Sequence, residues 1–169
     1  MPTIGVAIPV PEPWGSELRA HRADFGDPEA ARIPSHVTLL PPTEVEDTDL
    51  PKVYEKLADD ARAVDPFPMR LRGTGTFRPV SPVVFVAVSE GISSTEVLAK
   101  HVRDGLLVGQ LEFPYHPHVT VAHHLDDAAL DRAYATLADF ECDFEVRSFA
   151  LYRHDDADGW SPSQEFTLG

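Results

Sequence analysis

The sequence predicts an α+β fold of two lobes related by an approximate two-fold axis. The first observation is a motif that occurs twice: the segments 36–39 (HVTL) and 118–121 (HVTV) both read His-x-Thr-x, 82 positions apart. The second is the order of elements after each motif, which is an acidic capping residue, an amphipathic helix and a strand that opens with Phe67 or Phe140. We therefore expect the two motif strands to meet at the axis.

The elements of the first half follow from hydrophobic periodicity and from proline. We expect strands over 3–10 and 33–40, and Pro41-Pro42 is predicted to end the second because proline lacks a backbone donor. A helix is expected over 12–25. A second helix carries a 3.6-residue apolar stripe from Leu50 to Val64, with residues 47–49 as candidate caps. The alternation of Phe67, Met69 and Leu71 predicts a half-buried strand.

The second half repeats this arrangement. Residues 83–88 are apolar on both faces, which is typical of a central strand. Ser93-x-x-Glu96 predicts a capping box at the start of a helix. The second motif strand covers 118–125, and Asp126 is the expected cap of a helix that reaches Leu137. Residues 140–153 are predicted to form one long, bulged strand, and 164–168 a short last strand.

Length and composition limit the class of protein. A chain of 169 residues favours one domain, 1–169, made of two lobes. Its apolar runs are shorter than the roughly 20 residues that span a bilayer, and no signal-like segment is evident, so we expect no membrane partner. Cys142 is the only cysteine, which fits a reducing cytosol and predicts a cytoplasmic protein.

Charge disfavours a long nucleic acid as partner. The formal net charge is −14, from 28 acidic and 14 basic residues, and such a chain repels a polyanion. The windows 30–43, 66–89 and 113–125 contain no Asp or Glu, and the first and third contain the motifs. Two explanations remain open: a pocket kept free of negative charge, or core strands that simply lack acids.

The paired motif favours acid–base chemistry at phosphorus. His and Thr at positions i and i+2 of a strand point to the same face, so two facing strands offer two imidazoles and two hydroxyls to one pocket. One neutral imidazole can take a proton from the attacking group, and one protonated imidazole can give a proton to the leaving group. The hydroxyls of Thr38 and Thr120 can donate to phosphate oxygens. Which of His36 and His118 is the base stays open, and either motif alone would be more typical of a structural histidine.

The motif pair, its spacing and the element order resemble the two-histidine (2H) phosphoesterase superfamily, in particular its bacterial 2′-5′ RNA ligases and RNA 2′,3′-cyclic phosphodiesterases. The resemblance covers nearly the whole chain. It implies two antiparallel-rich sheets with flanking helices, and a central cleft that carries the motif strands. It also implies catalysis by the four motif side chains without metal or cofactor. Members typically hydrolyse cyclic phosphates to 2′-phosphomonoesters, and some join or open 2′-5′ linkages.

Four further residues are candidates for substrate binding. Many members of the superfamily have an arginine at the position of His123, and a neutral imidazole is a weaker anion ligand than guanidinium. Tyr115 and Phe77 are candidates for stacking on a nucleobase, and Arg78 for supplying charge. Core or rim packing, or a bent strand end, is the alternative for each. Tyr152 and Arg153, at the end of a predicted strand, are further candidates for the cleft wall.

We therefore expect a monomer that hydrolyses 2′,3′-cyclic phosphates at RNA ends or in small cyclic nucleotides. Three alternatives remain: a 2′-5′ ligase with the same site, a non-catalytic module that binds nucleotides or RNA ends, and a metal hydrolase. The metal alternative uses the histidines at 116, 118, 123 and 124. It is disfavoured because no acidic or cysteine ligand falls in that window, and because adjacent strand residues such as His123 and His124 should point to opposite faces.

Overall fold

The computed structural model describes residues 1–107 and 114–169. Within these ranges the chain forms eight strands and four α-helices. The strands are β1 (Thr3–Pro9), β2 (His36–Glu44), β3 (Phe67–Thr76), β4 (Val83–Glu90), β5 (His118–His123), β6 (Glu141–Val146), β7 (Ser148–Asp155) and β8 (Gly159–Thr167). The helices are α1 (Trp14–Asp24), α2 (Leu50–Arg62), α3 (Ile92–Val102) and α4 (Asp127–Thr136).

The strands form two four-stranded antiparallel sheets, in the orders β2-β1-β7-β8 and β5-β4-β3-β6. Each motif strand, β2 or β5, is the edge strand of its sheet and pairs with the strand that precedes it in the chain. The two motif strands contact each other between the sheets, while α1 packs against β5 and α3 against β2. A helix from each half therefore packs on the motif strand of the other half. The two matching sheets confirm the predicted α+β fold with a pseudo-two-fold arrangement.

The predicted strand over 140–153 is wrong in one respect, because the chain changes sheets within it. Strand β6 pairs with β3, whereas β7 lies between β1 and β8 in the other sheet. Arg147 separates the two strands. Cys142 and Val146 are buried at an even spacing, but the next buried side chain, Phe149, follows after three residues. That change of phase marks the crossing, since one continuous strand keeps a period of two.

Two prolines do not end the first motif strand as predicted. Strand β2 continues through Pro41 and Pro42 to Glu44. The pairing with β1 shifts between Val6↔Leu40 and Ile4↔Thr43, which leaves both prolines without a ladder partner. Proline is tolerated there because β2 is an edge strand and a shift in register needs no donor at that point.

The helix starts agree with the sequence at one site and differ at another. Asp126 Oδ1 accepts a hydrogen bond from the Ala129 backbone N–H at 2.8 Å, so the predicted cap of α4 is confirmed. The predicted capping box of α3 is wrong, because the helix begins earlier, after Gly91 at φ 91°. A Cβ atom at Gly91 would lie 2.6 Å from the Pro68 carbonyl oxygen, so the tight approach to β3 requires glycine and fixes the start.

No helix within 1–107 and 114–169 has the length and hydrophobicity needed to cross a membrane.

Candidate active site

The two motif strands have the same pattern of burial. The motif histidine and threonine are half-buried on each strand, and the residues between and after them are buried. The buried positions are Val37, Leu39, Val119 and Val121, each with 0% exposure. The apolar face of each strand therefore packs into the common core, and the His/Thr face is left for a site.

The two motifs meet at Thr38. His36 and Thr38 line one pocket, and Thr38 and His118 line a second pocket next to it. The Tyr115 hydroxyl donates a hydrogen bond to the Thr38 carbonyl oxygen at 2.6 Å, which ties the segment before β5 to β2. Thr38 thus belongs to both pockets, and a small ligand at this residue lies between the two halves of the molecule.

Both histidines are held in the same tautomer. Nδ1 of His36 lies 2.7 Å from the Pro34 carbonyl oxygen, and Nδ1 of His118 lies 2.7 Å from the His116 carbonyl oxygen. A carbonyl oxygen can only accept, so each Nδ1 carries a proton and donates it. Each Nε2 is therefore left available to take or to give a proton, which is the state that acid–base chemistry requires.

The two imidazoles have lowered pKa values. Burial lowers the pKa of His36 to about 4, and the nearby charges of Arg22 and His118 act in the same direction. Burial also lowers the pKa of His118, helped by the neighbouring His116. In both cases the hydrogen bond to a backbone carbonyl raises the pKa and opposes part of the shift. Without a ligand, both rings are therefore biased towards the neutral form.

The pocket beside His36 has mainly apolar walls, formed on the first sheet. Tyr152 from β7 and Trp160 from β8 line it together with β1. A Cβ atom at Gly5 would lie 3.3 Å from the Trp160 ring, so the glycine makes room for that ring. The adjacent Arg153 is exposed and is not part of this wall, as the alternation along β7 requires.

The pocket beside His118 contains two of the predicted binding residues, Phe77 and Tyr115. The Phe77 ring meets the His118 ring edge-on, with centroids 5.0 Å apart and an interplanar angle of 89°. The Tyr115 ring lies under the Arg103 guanidinium, 5.0 Å from its centre, and burial raises the pKa of the tyrosine. This pocket is the roomier of the two, with a volume of about 230 Å³ against about 70 Å³ beside His36.

Two other predicted residues lie away from these walls. The Arg78 guanidinium pairs with two α4 carboxylates, Asp131 at 3.0 Å and Asp127 at 3.5 Å, and lines a separate surface groove with them. Thr120 lies opposite Phe85 in the β4–β5 ladder, half-buried, but is not part of either pocket wall. The structure therefore does not bring Arg78 to the motif histidines.

His123 ends β5 and its ring stacks on that of His124, with centroids 3.6 Å apart. The expectation that these rings point to opposite faces is wrong, because His124 has left the strand and has φ 58°. The backbone N–H of His123 donates to Asp27 Oδ2 at 3.0 Å. Within the part of the chain that the structure describes, no group of three or more His, Cys, Asp or Glu side chains could hold a metal ion.

Sequence reasoning missed a buried ion pair next to the site. Arg22 Nε lies 2.8 Å from Asp27 Oδ2, and the arginine and aspartate residues are only 8% and 2% exposed. The charge of Arg22 lowers the pKa of both His36 and His123. A signal was available, since Arg22 falls four residues after Leu18 and three before Phe25 on the buried side of α1.

Comparison with known sequences agrees with these features. The family model described as the 2′-5′ RNA ligase superfamily matches residues 9–158. A protein of Halalkalibacterium halodurans named "Putative phosphoesterase BH1439" is 30% identical over 168 residues, covering 98% of this chain and 96% of that protein. A protein of Bacillus cytotoxicus named "Putative phosphoesterase Bcer98_0945" is 28% identical over 145 residues, covering 85% of this chain and 84% of its own length.

Solved structures share the fold over the full length of the chain. The crystal structure of TT0787 of Thermus thermophilus has a TM-score of 0.71 and 24% identity, and the match covers 99% of this chain and 98% of that one. The crystal structure of E. coli LigT complexed with 3′-AMP has a TM-score of 0.68 and 22% identity, with 99% of both chains covered.

Proposed function

Because this chain belongs to the 2′-5′ RNA ligase superfamily, the two-histidine phosphoesterases, we propose that it hydrolyses 2′,3′-cyclic phosphodiesters to 2′-phosphomonoesters without a metal ion. The substrates are RNA ends or small cyclic nucleotides. The observation that carries the proposal is the pair of motif histidines, both with Nε2 available, on pockets that share Thr38. That E. coli LigT has been crystallised with 3′-AMP supports a nucleotide as the ligand.

The proposed reaction needs two proton transfers. Water attacks phosphorus in line with the bond to ribose O3′, while a neutral histidine takes a proton from that water at Nε2. The P–O3′ bond breaks, and a protonated histidine gives its Nε2 proton to O3′. The products are a 2′-phosphate and a free 3′-hydroxyl, so protons and charge balance. Thr38, which lines both pockets, donates to a non-bridging oxygen, where negative charge grows in the transition state.

We assign the base role to His36 and the acid role to His118. A base has to be neutral before the attack, and a pKa of about 4 keeps His36 neutral over the whole range near pH 7. The bound phosphate is an anion, and it raises the pKa of a neighbouring imidazole, which favours the protonated form that His118 needs. On each ring the atom available for the proton transfer is Nε2.

We further propose that the base of the nucleotide occupies the pocket beside His118. Phe77 and Tyr115 offer aromatic faces there, and the pocket is the larger of the two. Stacking on an aromatic side chain contributes about 1–3 kcal/mol per base and tolerates any base, so we expect weak base selectivity. His123, the other predicted binding residue on β5, lines neither pocket, and burial lowers its pKa.

The cell location and assembly state belong to the same proposal. Cys142 is buried and makes no disulfide. A thiol of this kind is compatible with a reducing compartment, and we propose a monomer that acts in the cytoplasm on small substrates. The charge of −14 supports short rather than long RNA as the partner.

The deciding experiment is a panel of 2′,3′-cyclic nucleotides and short RNAs with 2′,3′-cyclic ends, in the presence and absence of EDTA. We expect turnover to 2′-phosphomonoesters, read out by the position of the phosphate on the ribose, with no effect of the chelator. Joining of RNA halves through 2′-5′ linkages would favour the ligase alternative. Binding without turnover would favour the non-catalytic module, and loss of activity with EDTA the metal hydrolase.

A further inference from the structure

Arg22 is a buried cation with most of its donors unused. Its side chain is only 10% exposed, and its Nε atom donates to Asp27 Oδ2 at 2.8 Å. Among residues 1–107 and 114–169, neither of its two terminal nitrogens has a hydrogen-bond partner. A guanidinium has five N–H donors in a planar fork, so four of them remain available for another group.

The free edge of this guanidinium reaches solvent. No buried side-chain nitrogen or oxygen in the described part of the chain lacks a hydrogen-bond partner, so the unpartnered terminal nitrogens of Arg22 have to be accessible. A purely structural arginine beside a buried carboxylate would instead be expected to form the two-pronged pair that uses a terminal nitrogen as well. Arg22 presents only Nε to Asp27, so this pair does not use its terminal nitrogens.

Asp27 does not need Arg22 to satisfy its hydrogen bonds. Oδ1 accepts from the Glu29 backbone N–H at 2.9 Å, and Oδ2 accepts from the His123 backbone N–H at 3.0 Å. The carboxylate therefore joins α1 and the turn after it to the end of β5. It fixes the guanidinium next to the last residue of the second motif strand, from the side of α1 that packs on β5.

We propose that Arg22 is the phosphate-binding cation of this site, donating from its terminal nitrogens to a non-bridging oxygen of the substrate. This deepens the proposed function and rests on it. The shared acceptor Asp27 Oδ2 places Arg22 beside the backbone of His123, and the charge of Arg22 lowers the pKa of both His123 and His36. Arg22 on α1 thus provides a positive charge for the phosphate, whereas His123 on β5 is a weak phosphate ligand when its imidazole is neutral.

The first test is the Arg22→Gln variant, which removes the charge and keeps a polar but shorter side chain. A charge-assisted hydrogen bond to phosphate is expected to account for about 10–100-fold in affinity. We expect KM for a 2′,3′-cyclic nucleotide, and Kd for inorganic phosphate by NMR titration, to rise by that factor. The His36 pKa should rise as well, read from its imidazole resonances. Arg19→Gln, an exposed arginine one turn earlier on α1, is the matched control and should leave all three values unchanged.

The second test moves the charge. Because Arg22 Nε and the His123 backbone N–H donate to the same oxygen of Asp27, we expect an arginine at 123 to reach the same region. We expect His123→Arg to restore phosphate binding in the Arg22→Gln background to within about threefold of the wild type, since the charge is replaced. Failure of this rescue, with phosphate affinity as weak as in the single variant, would mean that Arg22 only holds Asp27. If Arg22→Gln does not fold, Arg22→Lys keeps the charge and loses the fork, and the same rescue decides.

Phosphate binding separates this inference from the proposed function. If the wild-type protein turns over no cyclic phosphodiester but binds phosphate through Arg22, the proposed reaction fails and the inference stands. If the wild type is active, His36→Ala abolishes activity, and Arg22→Gln changes neither KM nor phosphate affinity, the inference fails and the proposed function stands.

Discussion

The two halves of the site use the same motif in different surroundings. His36 and His118 lie on equivalent edge strands and make the same 2.7 Å hydrogen bond to the carbonyl oxygen two residues before them. His36, however, has a buried arginine nearby and a small apolar pocket beside it, whereas His118 has the edge of Phe77 and an exposed His116 as neighbours. The backbone therefore repeats the motif, and the side chains around it differ.

This difference is what a reaction with unlike partners needs. A symmetric pair of imidazoles would titrate alike, and each would spend part of its time in the wrong protonation state for its role. The positive charge and the burial at His36 favour its neutral form, which is the form that the base of the proposed reaction needs. Four predictions test how far the two halves differ.

The largest expected effect is the loss of either histidine. His36→Ala and His118→Ala should each lower kcat/KM by about 10²–10⁴, the usual contribution of a general acid or base. The two variants should differ with an aryl phosphodiester, whose leaving group departs without a proton. His118→Ala should recover most of its activity with that substrate, and His36→Ala should not. His101→Ala on α3 serves as the control. The opposite pattern of recovery would exchange the two roles.

The pH dependence of kcat/KM is the next effect in size. His36 has to be neutral and has a pKa of about 4, so activity should rise with pH up to about that value. His118 has to be protonated, and its pKa lies below 6.5, so activity should fall about tenfold per pH unit above its pKa. The profile should be a bell with its maximum on the acidic side of pH 6.5. A maximum above pH 7 would contradict the lowered pKa values.

Much of this asymmetry lies beyond what the sequence could predict. Side chains alternate along a strand, so the sequence could predict that His and Thr of each motif share one face. The repeat of the motif could predict that both motif strands lie at the site. Arg22 and Asp27 are only five residues apart, but their place beside the second motif strand depends on how α1 docks on β5, about 100 residues later in the chain. The difference between His36 and His118 arises from such long-range packing.

The errors in the fold have the same origin. Alternation of apolar residues predicts a strand but does not say which sheet the strand joins. The pattern over 140–153 therefore did not show that the chain passes from one sheet to the other at Arg147. Proline predicts the end of a strand because it removes a donor, yet at the edge strand β2 that donor has no partner to lose. The left-handed backbone of His124 likewise has no reliable local signal, since few non-glycine residues of any kind adopt it.

Stability should also depend on pH, and more through His36 than through His118. The folded pKa of His36 is below the unfolded value of 6.5, so its contribution is complete above pH 6.5 and is lost as pH falls towards 4. We measure the free energy of unfolding by urea denaturation at pH 7.5 and at pH 5.0. The decrease between these two pH values should be about 1–2 kcal/mol larger for the wild type than for His36→Gln, a figure that allows for the partial exposure of His36. His118→Gln should reduce the pH dependence less. If the free energy of unfolding changed equally with pH in the wild type and in His36→Gln, the imidazole of His36 would not be buried in its neutral form.

The smallest effect concerns the bond that joins the halves. Tyr115→Phe removes the hydroxyl that donates to the Thr38 carbonyl oxygen at 2.6 Å, and it keeps the ring that lines the His118 pocket. Burial raises the pKa of Tyr115, so the hydroxyl stays a donor at every pH used. We expect a loss of about 1 kcal/mol in unfolding free energy, because one buried acceptor loses its side-chain donor.

The same variant tests whether the halves have to be held in register for the reaction. If Thr38 contributes to both pockets, a small displacement of β2 relative to the segment before β5 misplaces His36 against His118, and kcat should fall about three- to tenfold with little change in KM. Tyr134→Phe, at an exposed tyrosine of α4, is the matched control. A lower stability with unchanged kcat would show that the bond fastens the lobes together without setting the distance between the two imidazoles.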